Sequence, residues 1–295
     1  MPIAIIINPV SGARGRGGAV GGRVELARRV AAACGETADV FVTEQAGHAR
    51  DLAETARASG ARLVVAWGGD GTVNEVASAL AFGDVPLAIV PAGSGNGLAH
   101  EFAISADPTA ALTGAFRSPP RTIDVGEIHG RLFVNIAGIG FDAHVAAQFN
   151  APENPRRGMA GYAIVTVRSL AGYRSSRYEI VTPGSRMTVR ALLVVLANGT
   201  EFGNGVRIAP GARIDDGALD LVIVEQCSRL LMIWNMRRLL GGSVARAPIW
   251  SSRRVEQVTI ESDTPMIFHV DGEPLRGGTR LHARVHPDAL KVCAS

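Results

Sequence analysis

The sequence predicts an N-terminal parallel α/β domain followed by an antiparallel β domain. Three observations carry this. Short apolar runs alternate with helical patterns over residues 1–125, three Gly-rich loops each follow one of those runs, and the chain turns β-rich after Pro119-Pro120. With 295 residues, 47% of them hydrophobic, there is material for two ordinary domains, 1–125 and 126–280, plus a tail at 281–295.

The elements follow in order. Ile3–Ile7 reads as a buried strand that ends in the turn-rich stretch from Asn8 to Gly15. Residues 22–33 have helical spacing, residues 39–43 form a second strand, and 48–59 form a second helix with Leu52, Ala53 and Ala56 on one face. A third strand at 63–67 runs into Gly68-Gly69-Asp70-Gly71-Thr72 and a helix over 73–81. A fourth at 87–90 runs into Pro91-Ala92-Gly93-Ser94-Gly95-Asn96-Gly97 and another helix. Further on, 122–128, 132–136, 178–182, 187–197, 219–225, 255–261 and 266–270 read as strands, and 281–292 as a closing strand. Two helical segments interrupt them, at 158–170 and 228–240. The second carries Trp234 and three arginines on an apolar background. It is expected either at a membrane interface or packed on the β domain.

Composition narrows the chemistry. Of 30 Lys plus Arg residues only Lys291 is a lysine. A Walker phosphate loop and a protein-kinase site each need a positioned lysine, so neither can be built. Net charge is +3, with no basic run longer than two, which does not suggest a nucleic-acid footprint. Cys34, Cys227 and Cys293 are odd in number and widely spaced, as in a reducing cytosol. Neither a signal peptide nor a transmembrane helix is read. A cytoplasmic protein attaching peripherally to membrane is the expectation.

The three glycine loops carry the chemistry. In an open parallel sheet the carboxyl ends of the strands share one edge, so all three loops converge on one rim. Their backbone N–H groups, with the positive ends of the following helices, form an anion cradle that needs no lysine. Asp70 lies within this cradle, where a carboxylate beside phosphates costs Coulomb energy unless it faces a metal or accepts a proton. Capping a helix is the alternative for Asp70 or Thr72. Glu75 supports the same site or is solvated.

Asn8-Pro9-x-Ser11-Gly12, Gly68-Gly69-Asp70-Gly71-Thr72 through Val76, and Pro91 through Asn96 resemble the signatures of the diacylglycerol kinase and sphingosine kinase family, with its bacterial soluble branch. Asp124-Val125-Gly126, Asn135 with Gly140-Phe141-Asp142, Asn198-Gly199, Ala209-Pro210, the 215–220 segment and Asp271-Gly272-Glu273-Pro274 agree in order. The resemblance spans nearly the whole chain. It implies a phosphofructokinase-like (NAD-kinase-like) α/β domain, a C-terminal β-sandwich, a tail returning to the first domain, and ATP in the cleft between domains. It also implies Mg²⁺-dependent phosphoryl transfer to a lipid hydroxyl at a membrane surface, and a homodimer is compatible with it.

By motif match, Asn8, Pro9, Ser11, Gly12, Thr43, Gly68, Gly69, Asp70, Gly71, Thr72, Glu75, Gly93, Ser94, Gly95 and Asn96 are the nucleotide contacts. The same match makes Asp216, with the carbonyls of Arg213 and Ala218, a Mg²⁺ site, and an ordinary β-turn is the alternative there. Asp70, Asp271 and Glu273 are the general-base candidates, left unranked. Asp124 and Asp142 are candidates for orienting substrate or the metal-water network. Arg156 and Arg157 are expected as phosphate clamps or as an exposed loop. The third loop, Gly93-Ser94-Gly95-Asn96-Gly97, lacks the second acid of many diacylglycerol kinases, so the acceptor stays open among diacylglycerol, sphingoid bases and related lipids. Two other readings remain: a soluble-metabolite kinase resembling NAD kinase, and a nucleotide-binding regulator without turnover.

Overall fold

In the computed structural model, residues 2–12, 20–151, 154, 158–203, 205–228, 238 and 244–294 are described. They divide into two compact units, Met1–Ile123 with Asp288–Ser295, and Asp124–Pro287. The helix expected at 228–240 and the arginines at 156 and 157 fall outside the described residues, apart from Ser228 and Arg238.

Unit 1 alternates strand and helix: β1 (Ile3–Ile7), α1 (Val20–Ala33), β2 (Ala38–Val42), α2 (His48–Ala58), β3 (Leu63–Gly68), α3 (Asp70–Leu80), β4 (Leu87–Pro91), α4 (Gly97–Glu101) and α5 (Pro108–Arg117). The strands pair in parallel in the order β2-β1-β3-β4. Every residue of β1 and β3 is buried, as expected for a parallel sheet covered on both faces. Ile3, Ile5, Ile7, Val65, Trp67 and Val90 face Ala27, Val30, Leu112 and Ala115 of α1 and α5 in one core. The order reverses between β1 and β3, so the loops leaving these two strands emerge side by side. Helix α5 escapes the periodicity argument. Yet Asp107 caps it, accepting from the Ala110 N–H at 2.8 Å, and Pro108 occupies its first turn.

Strand β5 (Pro120–Ile128) leads into unit 2, which contains β6 (Arg131–Phe133), β7 (Ile136–Gly140), α6 (Phe141–Asn150), α7 (Gly158–Gly172), β8 (Ser176–Thr182), β9 (Ser185–Ala197), β10 (Leu219–Glu225), β11 (Trp250–Val255), β12 (Gln257–Ser262), β13 (Ile267–Val270), β14 (Glu273–Arg276) and most of β15 (Arg280–Cys293). Pairing here is antiparallel and sandwich-like. Strand β9 is its centre, bonding β8 with its first half and both β7 and β10 with its second. Its side chains alternate between two cores: Ala191, Val194 and Leu196 on one face, Leu192, Val195 and Ala197 on the other.

Several expectations need correction. The run 132–136 is two strands broken at Val134 and Asn135, and 255–261 breaks at Glu256 into β11 and β12. Helix α3 starts at Asp70, not Val73. Helix α6 and strand β14 were not anticipated. At the C-terminus, Val292 and Cys293 pair in parallel with Leu87 and Ala88 of β4, inside unit 1. Among the described residues no helix is long and apolar enough to cross a membrane.

Candidate active site

In unit 1 the three loops interlock through contacts that leave no room for a side chain. A Cβ on Gly93 would lie 2.6 Å from the Gly69 Cα, and one on Gly68 would strike the Thr72 side chain. Gly12 has φ +104°, a region glycine enters freely, and its ideal Cβ position is 3.2 Å from the Ala92 carbonyl. Hydrogen bonds cross-link the loops. Asn8 Nδ2 donates to Thr72 Oγ1 at 2.9 Å, and the Ala92 N–H donates to the Gly68 carbonyl at 2.8 Å. Within the third loop Asn96, at φ +54°, exchanges two 2.8 Å bonds with the Gly93 backbone. Thr43 is buried at the end of β2, its N–H on the Ile7 carbonyl at 2.9 Å.

The acids of this rim are engaged with backbone. Asp70 is the first residue of α3 and does not cap it, since Gly69 is the N-cap. Its carboxylate instead accepts the N–H groups of Asn96 at 2.8 Å and Gly97 at 2.7 Å, where α4 begins. The second glycine loop is thereby bolted to the third. Glu75 is half-buried. It reaches the start of α2 and accepts from the Gly47 and Ala49 N–H groups at 2.8 and 3.1 Å. Gly71 and Ser94 are exposed at the loop tips, and Pro9, Ser11 and Gly95 are half-buried. The sequence reading missed Arg23, whose guanidinium donates to the Asn8 and Ser11 carbonyls at 2.9 and 2.8 Å and lies over the Trp67 ring. Lys291 pairs with Asp84 at 2.6 Å, so the one lysine of the chain is engaged with a surface acid.

Unit 2 gathers most of the remaining acids. Asp271 opens the β13–β14 turn at φ +47°. Its buried carboxylate accepts three backbone N–H groups: Val134 on Oδ2 at 2.9 Å, and Asn135 and Ile136 on Oδ1 at 3.0 and 2.9 Å. Val134 and Asn135 form the break between β6 and β7, and Ile136 opens β7. Asn198, fully buried, spans the Asp124 and Val134 carbonyls, each at 2.9 Å. Asp124, 1% exposed, accepts the Gly217 N–H at 2.7 Å. Asp142 is buried beside His269 at 3.3 Å, and its other oxygen takes the Ala143 N–H at 2.8 Å. A Cβ on Gly138 would overlap that carboxylate, so glycine is what admits the pair. His269 also accepts the Gly272 N–H on Nδ1 at 3.3 Å, which makes Nε2 the donor to Asp142. Glu273 differs from all of these: it is exposed, and among the described residues nothing bonds to its carboxylate.

A hard cation needs several oxygens aimed at one point. In the expected metal turn, Asp216 Oδ2 lies 2.7 Å from Arg254, and Oδ1 accepts the Ala218 N–H at 3.2 Å. Arg213 itself meets Asp215 at 3.7 Å. With a guanidinium on its one carboxylate, the set of Arg213, Asp216 and Ala218 does not fit a divalent ion as it stands. Among the described residues no three His, Cys, Asp or Glu side chains cluster as a metal site.

Residues 2–128 match the family described as diacylglycerol kinase catalytic domain, and residues 135–294 match the YegS C-terminal NAD kinase beta sandwich-like domain. A probable lipid kinase YegS-like of Pseudomonas aeruginosa PAO1 is 34% identical over 275 residues, 92% of this chain and 90% of the relative. One of Pseudomonas fluorescens Pf-5 is 33% identical over 262 residues, 88% and 86% of the two chains. Two solved structures of Bacillus anthracis Sterne, a diacylglycerol kinase and a putative one, cover all of this chain and 97% of their own. Their TM-scores are 0.75 and 0.80 at 18% and 22% identity, which is a likeness of fold.

Proposed function

This chain belongs to the lipid kinase family built from a diacylglycerol kinase catalytic domain and a YegS-type C-terminal domain, and from that premise we propose that it transfers the γ-phosphoryl group of ATP to a lipid hydroxyl. The observation that carries this reading is the interlocked glycine rim of unit 1. It offers backbone amides and the first turn of α3 as phosphate ligands, in a chain whose single lysine is engaged elsewhere. Asn8, Thr72, Asp70 and Asn96 hold the loops in place. Gly69, Gly71, Ser94 and Gly95 bring amides within reach of the phosphates. Mg²⁺ accompanies the nucleotide and offsets phosphate charge; no residue of the 213–218 turn is assigned to it.

Glu273 is the general base in this reading. Asp70 and Asp271 each hold two or more backbone N–H groups, whereas Glu273 has its carboxylate available. It takes the acceptor's hydroxyl proton as that oxygen bonds to the γ-phosphorus and the bond to the bridging oxygen of ADP breaks. Catalysis is then positioning plus electrostatics. The test presents the purified chain with a total lipid extract and γ-labelled ATP and identifies labelled lipids by mass spectrometry. One or more labelled lipids are expected, with about 10²-fold less label transferred by Glu273→Gln. Label on NAD and on no lipid would replace this reading with the NAD-kinase one. Tight ATP binding without transfer to any acceptor would make the chain a regulator.

A further inference from the structure

The geometry points to Arg254 taking the place of a cation in the 213–218 turn, so that this protein closes the turn with a guanidinium and needs no divalent ion to do so. Two consecutive acids, Asp215 and Asp216, share the turn, and the carboxylate of Asp124 enters beside them to hold the Gly217 N–H at 2.7 Å. Arg213 meets Asp215 at 3.7 Å, and the Asp216 carboxylate calls for a second positive group at close range. Gly217 shapes the turn at φ +72°, leaving the Asp216 carboxylate only 16% exposed.

Arg254 reaches that carboxylate from a fixed base. It lies on β11 opposite Asp220, the second residue of β10, the strand that leaves the turn. The ladder between the two strands, with a 2.8 Å bond from Ser252 to Asp220, thus sets its distance from Asp216. From there its Nη2 bonds two oxygens of one residue, the Asp216 carboxylate at 2.7 Å and the Asp216 carbonyl at 3.2 Å. A divalent ion at the same carboxylate would have to displace the guanidinium or stand beside its charge. The two compete for one carboxylate. The Arg254 side chain is 60% exposed, so water receives the guanidinium when it leaves, and the competition is open to equilibrium measurement.

The experiment uses the full chain without nucleotide, so its outcome is independent of whether the lipid kinase assignment holds. Thermal unfolding is followed in excess EDTA and in excess Mg²⁺, for the natural chain and for Arg254→Met. Binding of Mn²⁺ is followed by electron paramagnetic resonance for both, with Asp216→Asn/Arg254→Met as the control. The natural chain should unfold at the same temperature with and without the ion. Arg254→Met should lose stability in EDTA and regain it in Mg²⁺, and should bind Mn²⁺ at least about tenfold more tightly than the natural chain. The double variant should lose that gain. A natural chain whose unfolding temperature falls in EDTA and recovers in Mg²⁺ would overturn the inference. So would Arg254→Met binding Mn²⁺ no more tightly than the natural chain. If Arg254→Met does not fold in either solution, the comparison on the natural chain decides alone.

Discussion

Asp271→Asn separates a structural acid from a catalytic one. The carboxylate holds three amides at 2.9, 3.0 and 2.9 Å inside a buried turn. Asparagine keeps the shape and tolerates the φ of +47° found there, so the backbone is not strained by the change. Its single oxygen can keep Asn135 and Ile136, but its amide nitrogen then faces the Val134 N–H, donor against donor. Losing one charge-assisted bond costs about 1.5–3 kcal/mol, and a buried donor left unsatisfied about 1–3 more. A net loss of ~3–5 kcal/mol lowers the unfolding temperature of a domain this size by roughly 6–20 °C. The assay is thermal unfolding by circular dichroism, with Glu273→Gln as the control that should unfold like the natural chain. Suppose Asp271→Asn unfolds at the natural temperature and only phosphoryl transfer is lost. The carboxylate would then be acting on substrate, and the assignment of the base to Glu273 would be wrong.

Other outcomes follow from the same contacts. Gly93→Ala puts a methyl group against the Gly69 backbone; the loops must part, and calorimetry should show lost nucleotide affinity together with ~1–3 kcal/mol of lost stability. Asp70→Asn can satisfy only one of the Asn96 and Gly97 amides, so ATP affinity should fall along with about 2 kcal/mol of stability; an unchanged binding isotherm would refute the view that this acid positions the third loop. Burial pushes up the phenols of Tyr173 and Tyr178, with the Asp142 charge adding to it. A raised phenol stabilises the fold fully below its unfolded pKa near 10, and that stabilisation is lost as pH rises through the folded value. Ultraviolet titration of the folded protein should therefore find Tyr173 and Tyr178 still largely protonated at about pH 10, with a jump in phenolate on adding denaturant.

The parallel half of the fold was legible because buried strands such as Ile3–Ile7 and Leu63–Gly68 are continuous apolar runs closed by glycine turns. Helix α5 carried a readable cap in Asp107-Pro108, yet its small residues gave little periodicity. Strand breaks were not legible: nothing local at Val134-Asn135 signals that their amides belong to Asp271, more than a hundred positions along the chain. The same holds for the site. That the glycine loops of unit 1 meet was readable from their motifs. What each acid does was not, since the partners of Asp70, Glu75 and Asp124 are backbone amides 26 to 93 residues away. The arginine on Asp216 has no motif, and only strand register delivers it.

The placement of those acids bears on why a lysine-poor chain has so many aspartates in its motifs. Amides hold phosphate well only if they are already fixed when the phosphate arrives, because ordering them on binding would cancel the gain. Glycine, which the close approach of the loops demands, works against that fixity, since it is the residue with most backbone freedom to lose. Each acid restores the order by holding amides on a neighbouring segment: Asp70 for the third loop, Glu75 for the start of α2, Asp271 for the β6–β7 break, Asp124 for the 217 turn. A glycine loop and an acid from the next segment thus form one device. Glu273 stands outside it, exposed and with no bond to its carboxylate among the described residues, and that is the physical reason for proposing it as the base.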